Sequence, residues 1–191
     1  MKGFNWAEKK PEHDEKPKSI EEKDTHPSFV EVVENRIYFY SRIETEKILQ
    51  LNRNILSMGI NLQREATIQN REPANIHLHI QSYGGSVFAG MAGMDEIIKS
   101  VVPVHTMIDG CCASAATFLS VCGKRRFINR HAYMLIHQLS SFMWGKYEDF
   151  KDEMQNLDKI MGMIKKVYGE YTKIPMSKLE EILKHDLWFS G

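Results

Sequence analysis

Ser114 lies in the stretch V-H-T-M-I-D-G-C-C-A-S-A-A-T-F-L-S-V-C-G, residues 104–123. An apolar, β-branched run over 101–108 stops at Asp109-Gly110; only small side chains follow until Thr117-Phe118-Leu119 resumes a helical pattern. The pattern predicts a strand, a tight turn and a helix start. A serine in or next to the first turn of a helix faces unpaired N–H groups and the positive end of the macrodipole, which favour developing negative charge. Small neighbours (Cys111, Cys112, Ala113, Ala115, Ala116) let a second backbone or a substrate carbonyl come close. Taken alone, such a serine is more often a helix cap than a nucleophile, so partners decide.

A nucleophilic serine needs a base and a group that orients the base. His137 stands just past an expected strand over 132–136, and Asp186 precedes an aromatic pair able to bury it. Each is weak alone, because a single histidine is more often structural. A second strand-to-helix junction at Gly84-Gly85 can take positive φ and turn successive amides into one concavity. With the amides at Ser114-Ala115 it offers donors for an oxyanion. Neither G-x-G-x-x-G nor G-K-[ST] is present, so a dinucleotide or phosphate loop is not indicated. His77 and His79 share one strand face and can in principle bind a metal, but no ligand with convincing spacing accompanies them. Cys111 and Cys112 are candidate nucleophiles in the same turn, against the commoner role of a small buried hydrophobe.

The elements that must position these groups alternate. Residues 29–33 and 36–40 are β-rich runs split by Glu34-Asn35, a hairpin or two short strands. Residues 43–58 carry a helical stripe through Ile48, Leu51 and Ile55, and 59–75 reads as a polar connection containing Pro73. A strand over 76–80, a helix over 87–99, the strand leading to Ser114 and short strands over 125–128 and 132–136 follow. This order predicts an α/β fold with a largely parallel sheet. Tyr147, Phe150, Met154, Leu157, Met161, Ile164, Tyr168 and Tyr171 then recur at intervals of three and four, a stripe of about seven turns. Packing on its own domain and contact with another subunit both explain it. Ser177-x-x-Glu180 reads as a capping box opening a last short helix.

Composition narrows the function classes. The 191 residues suit one domain with appendages, and 25 basic against 25 acidic side chains remove the usual electrostatic reason to expect nucleic acid. Three cysteines without a C-x-x-C pair suggest neither a disulfide framework nor a zinc knuckle. With no signal-like start and no apolar run of membrane-spanning length, a cytoplasmic protein without a membrane partner is expected. Residues 1–28, rich in Lys, Glu, Asp and Pro, read as a charged, disordered N-terminal tail ahead of a domain over 29–191.

From about Arg36 onward the chain resembles the proteolytic subunits of the Clp protease, serine peptidases of the ClpP/crotonase fold. The resemblance rests on I-H-L-H-I-Q-S-Y-G-G-S-V-F-A-G-M, D-G-C-C-A-S-A-A, Y-M-L-I-H-Q and L-E-E-I-L-K-H-D-L-W-F-S, in the family's order and near its spacing. It implies a spiral of β-α units with a protruding handle helix, here the one from Tyr147. It implies Ser114 as nucleophile, His137 as general base, Asp186 as its partner, and the N–H groups of Gly85 and Ala115 as oxyanion donors. Gly84, Ser86, Leu139 and Ser140 would line the substrate. Three departures stand out: Tyr83 replaces the proline of the family's glycine loop, Leu139 replaces the proline after His-Gln, and Ser140-Ser141 replaces a glycine pair. Family members continue past the equivalent of Gly191 with a further helix and strand, so a truncated chain is expected.

The expected function is hydrolysis of peptide bonds in unfolded polypeptides inside an oligomeric chamber, with no cofactor and no metal. The resemblance implies a heptameric ring, stacked as a double ring, working with a separate AAA+ Clp ATPase unfoldase of the ClpX, ClpA or ClpC type, since the chain has no Walker motif. The alternatives are a crotonase-like acyl-CoA enzyme, which needs no triad, and a non-catalytic ring subunit.

Overall fold

The two β-rich runs at the start of the domain form the expected hairpin. β1 (Phe29–Val33) and β2 (Arg36–Tyr40) pair antiparallel, and Glu34, at a φ of 55°, supplies the left-handed turn between them. The computed structural model describes residues 29–190; the charged tail expected over 1–28 lies outside the described residues.

α1 (Thr45–Gln69) is longer than the sequence pattern predicts: the expected connection over 59–75 is helical as far as Gln69. Gly59 does not end the helix, because its bare Cα packs against Val101, whose Cγ2 would lie 3.1 Å from an added Cβ. The helix stops at Asn70, which takes the left-handed conformation at φ 49° and donates its N–H to the last-turn carbonyls. Nor does it start at Ile43. That residue is bridged to Gly85, its N–H donating to the Gly84 carbonyl at 2.9 Å.

β3 (Ile76–Ser82) extends two residues past the expected strand and leads into α2 (Val87–Lys99), whose bounds match expectation. β4 (Val104–Ala113) corrects the position of the turn. Asp109 and Gly110 continue the strand, and the chain turns only at Ser114, before α3 (Ala116–Val121). Gly110 fits there because the Gln81 side chain occupies the space a Cβ would take, 2.7 Å away. β5 (Arg125–Ile128) is as expected, and β6 (Tyr133–Leu135) is one residue shorter at each end than the predicted strand.

The sheet runs β1-β2-β3-β4-β6-β7 with β5 also on β4; every pair from β2 to β6 is parallel. β4 therefore shares one edge between two strands, its first half beside β5 and its last residues beside β6. Alternation sorts the two faces. Ile37, Phe39, Leu78, Ile80, Val104 and Ile108 are buried in one cluster with Ile48, Leu51 and Ile55 of α1 and Met94 and Ile97 of α2. The opposite face is aromatic and polar. Tyr38 stacks on His79, whose Nδ1 lies 3.0 Å from Asp109, and the Tyr40 hydroxyl donates to the same carboxylate at 2.6 Å. His77 and His79 thus share a face as expected, but His77 meets His105 edge-on, and burial holds both of these imidazoles below the usual histidine range.

α4 (Tyr147–Tyr171) forms over the predicted stripe, but only Ile164 and Tyr168 are buried along it, while Tyr147, Phe150 and Met154 are 72%, 43% and 57% exposed. α5 (Met176–Ile182) lacks the predicted capping box. Pro175 precedes it without a side-chain cap, and the Glu180 carboxylate accepts instead from Lys165 on α4 at 2.9 Å. A last strand, β7 (Trp188–Ser190), is absent from the sequence expectation and pairs antiparallel with β6. Leu78 is fully buried at the centre of the sheet. Leu78→Ala should lower unfolding free energy by about 2–5 kcal/mol, read from the urea midpoint at unchanged slope.

Candidate active site

Three neighbouring parallel strands end on the same side of the sheet, where α/β folds place their ligands. β3 delivers the loop Tyr83-Gly84-Gly85-Ser86, β4 delivers Ser114, and β6 delivers His137. The glycines are required by space as well as by φ. At Gly84, φ is 95° and an added Cβ would lie 2.7 Å from both the Ala113 carbonyl oxygen and the Ser114 Cβ. At Gly85, φ is 149° and a Cβ would collide with the Ile43 carbonyl oxygen. Ser86 then caps α2, accepting the Ala89 N–H on its hydroxyl.

Ser114 is in the left-handed region at φ 54°, a conformation costly for a residue with a Cβ and held only by its surroundings. Its N–H donates to the Leu135 carbonyl at 2.9 Å, which locks the turn to β6. Its carbonyl accepts both the Thr117 N–H at 3.0 Å and the Thr117 hydroxyl at 2.6 Å. Ser114 is thus not a cap in the sense of a side chain receiving an amide; its backbone is pinned and its side chain lines a cleft. Among the described residues no acceptor takes the amide N–H of Gly85 or of Ala115.

His137 and Asp186 come together through the β6–β7 ribbon. Leu135 is registered with Trp188, and extending that register by two residues sets Asp186 across from His137. The His137 Nδ1 lies 3.8 Å from the Asp186 carboxylate, an ion-pair distance too long for a hydrogen bond. The aromatic pair after Asp186 does not bury it, contrary to expectation: its side chain is 80% exposed, and Trp188 and Phe189 are themselves partly exposed.

Ser114, His137, Gly85, Ser86 and Ser140 line one cleft of about 630 Å³, walled on the far side by Arg42, Glu44, Thr45 and Tyr83. A narrower recess of about 60 Å³ opens beside it between Ala115, Phe118, Leu139, Ile164 and Tyr168, with Ser114 and His137 at its mouth. Of the predicted substrate-lining residues, Ser86, Leu139 and Ser140 reach these spaces, while Gly84 lies behind them with its carbonyl given to Ile43. Burial raises all three thiols above the usual range, Cys122 to about 12, so Cys111 and Cys112 beside the serine stay protonated at neutral pH. Among the described residues no three His, Cys, Asp or Glu side chains are grouped to hold a metal ion. Sequence reasoning missed the wall from Arg42 to Thr45, and it missed Tyr168 of the recess with its buried partner Thr117. Both depend on long-range packing that no local pattern encodes.

Comparisons with known proteins give the family. A family model described as Clp protease matches residues 32–191. The chain belongs to the Clp protease family. It is 30% identical over 166 residues to the ATP-dependent Clp protease proteolytic subunit 1 of Chlamydia pneumoniae, covering 84% of this chain and 82% of the relative. It is also 30% identical over 159 residues to the ATP-dependent Clp protease proteolytic subunit of Spinacia oleracea, covering 80% and 81%. The family's chemistry, serine endopeptidase cleavage, is therefore this chain's, and the match sets aside the acyl-CoA alternative. Gly84→Ala in this Clp protease should cost about 1–3 kcal/mol of stability and lower peptidase kcat, measured by thermal melting and a chromogenic peptide.

Proposed function

We propose that Ser114 is the nucleophile, His137 the general base and Asp186 its orienting partner. What supports this reading best is that three adjacent strand ends carry a pinned serine, a histidine and an amide-bearing glycine turn to one cleft. The Ser114 hydroxyl attacks the scissile carbonyl and passes its proton to Nε2 of His137, since Nδ1 faces Asp186. The Gly85 and Ala115 amides receive the oxyanion. The imidazolium then protonates the departing amine, leaving an acyl-serine that water, deprotonated by the same imidazole, hydrolyses. Ser86, Leu139 and Ser140 shape the path of the peptide, and Gly84 holds the turn behind them.

In this reading the substrates are unfolded polypeptides and the working form is an oligomer, a heptameric ring stacked through α4, served by a Clp ATPase that unfolds them. The exposed Tyr147, Phe150 and Met154 on α4 support a subunit contact there. The chamber is placed in the cytoplasm in this reading; among the described residues no helix is long and apolar enough to cross a membrane. The 3.8 Å gap to an exposed Asp186 favours one second reading, a ring subunit that assembles without turnover. A fluorophosphonate probe separates the two. Wild type should label and Ser114→Ala should not, with peptidase activity falling by about 10³-fold or more. Equal labelling of both overturns the nucleophile assignment, and assembled wild type that neither labels nor cleaves favours the inactive subunit.

A further inference from the structure

The buried pair Thr117 and Tyr168 lies outside the groups that touch substrate, yet it ends on the nucleophile's own backbone. Thr117 is fully buried and Tyr168 is 2% exposed. Their hydroxyl oxygens are 2.6 Å apart, and the Thr117 oxygen is also 2.6 Å from the Ser114 carbonyl oxygen. Proton bookkeeping sets the direction. A carbonyl can only accept, so the Thr117 hydroxyl gives its one hydrogen to Ser114 and must accept from the Tyr168 hydroxyl. The reverse polarity would strand the tyrosine hydrogen in a dry interior, at a cost that buried polar groups rarely bear. With the Thr117 N–H at 3.0 Å, the Ser114 carbonyl therefore receives two donors, one of them backed by a phenol on a different helix.

The consequence follows from peptide planarity. The carbonyl of Ser114 and the N–H of Ala115 belong to one rigid plane and point in opposite directions, so orienting the first orients the second. We propose that Thr117 and Tyr168 are positioning residues that hold the Ser114–Ala115 peptide plane, and with it the Ala115 amide, at the angle needed to meet an oxyanion. The assignment rests on the reading of Ser114 as nucleophile and Ala115 as oxyanion donor. A left-handed residue with a Cβ, at φ 54°, is where such a clamp is needed, because the plane would otherwise relax toward a less strained orientation. The clamp reaches from α4, where Tyr168 also packs its ring beside Phe118 at 5.9 Å and forms part of the recess wall. The position of α4 is thereby felt at the amide itself.

The test uses the assembled full chain, a chromogenic peptide for kcat and KM, and a peptide aldehyde whose adduct with serine carries its oxygen where the oxyanion forms. Thr117→Val keeps the shape and removes the hydroxyl. It should lower kcat by about tenfold and weaken the aldehyde by a similar factor, with KM within about twofold. Thr117→Ser should restore both. Tyr168→Phe, which keeps the ring, should give a smaller loss of the same kind, about threefold. Unchanged kcat and aldehyde affinity in Thr117→Val and Tyr168→Phe overturn the inference, as does a loss accompanied by an altered particle mass or melting temperature and not rescued by Thr117→Ser. Ser114→Ala is the separate control: if it still cleaves, the nucleophile reading fails, whereas an inert Ser114→Ala beside fully active Thr117→Val and Tyr168→Phe sinks the clamp alone.

Discussion

The site depends on one backbone crossing with no room for a side chain. The turn after β3 is wedged between the β2–α1 connection and the end of β4, with Ile43 giving its N–H to Gly84 and taking the N–H of Ser86 on its carbonyl. On the other side the same turn abuts Ala113 and Ser114. Two successive residues must therefore combine positive φ with no Cβ, which leaves glycine at both. This crossing sets where the Gly85 amide points, how close α2 lies to the strand that carries Ser114 and where α1 begins. Gly90 continues the same theme on α2, where an added Cβ would sit 2.9 Å from the Ala115 carbonyl oxygen.

Much of this was legible in the residues. Alternating Ile and His over β3, the small residues of α2 and the three-and-four spacing of α4 are local patterns, and each produced its element. The illegible parts are those where a distant contact overrules a local signal. Gly59 and the polar residues after it look like a helix end until Val101 is seen packed on that glycine. Asp109-Gly110 looks like a turn until β6 is seen beside Cys111 to Ala113, completing the strand on its open edge. Ser177 and Glu180 have the spacing of a cap, but Lys165 on α4 takes the glutamate away.

The candidate site was legible in kind and less so in geometry. Strand-end positions singled out Ser114 and His137, and the structure carries both to one cleft. The separation of His137 from Asp186, the exposure of that acid and the support beneath Ser114 are set by the β6–β7 pairing and by Tyr168, a residue 51 positions away from its partner Thr117. Periodicity marked Tyr168 as one member of an apolar stripe. It could not show that the phenol end of that member is polar and spoken for.

The three-residue strand β7 has an implication for how activity can be lost. His137 and Asp186 ride on a single narrow ribbon, β6 with β7, whereas Ser114 belongs to β4, and the seam between ribbon and sheet is short: Cys111 to Ala113 beside Tyr133 to Leu135, plus the Ser114 amide on Leu135. A strain that opens this seam carries imidazole and carboxylate away in company and leaves the hydroxyl behind. On the proposed roles of these groups such a parting idles the site, and because Ala132 and Ile136 at either end of β6 belong to the hydrophobic core, it draws on the interior as well as on the rim.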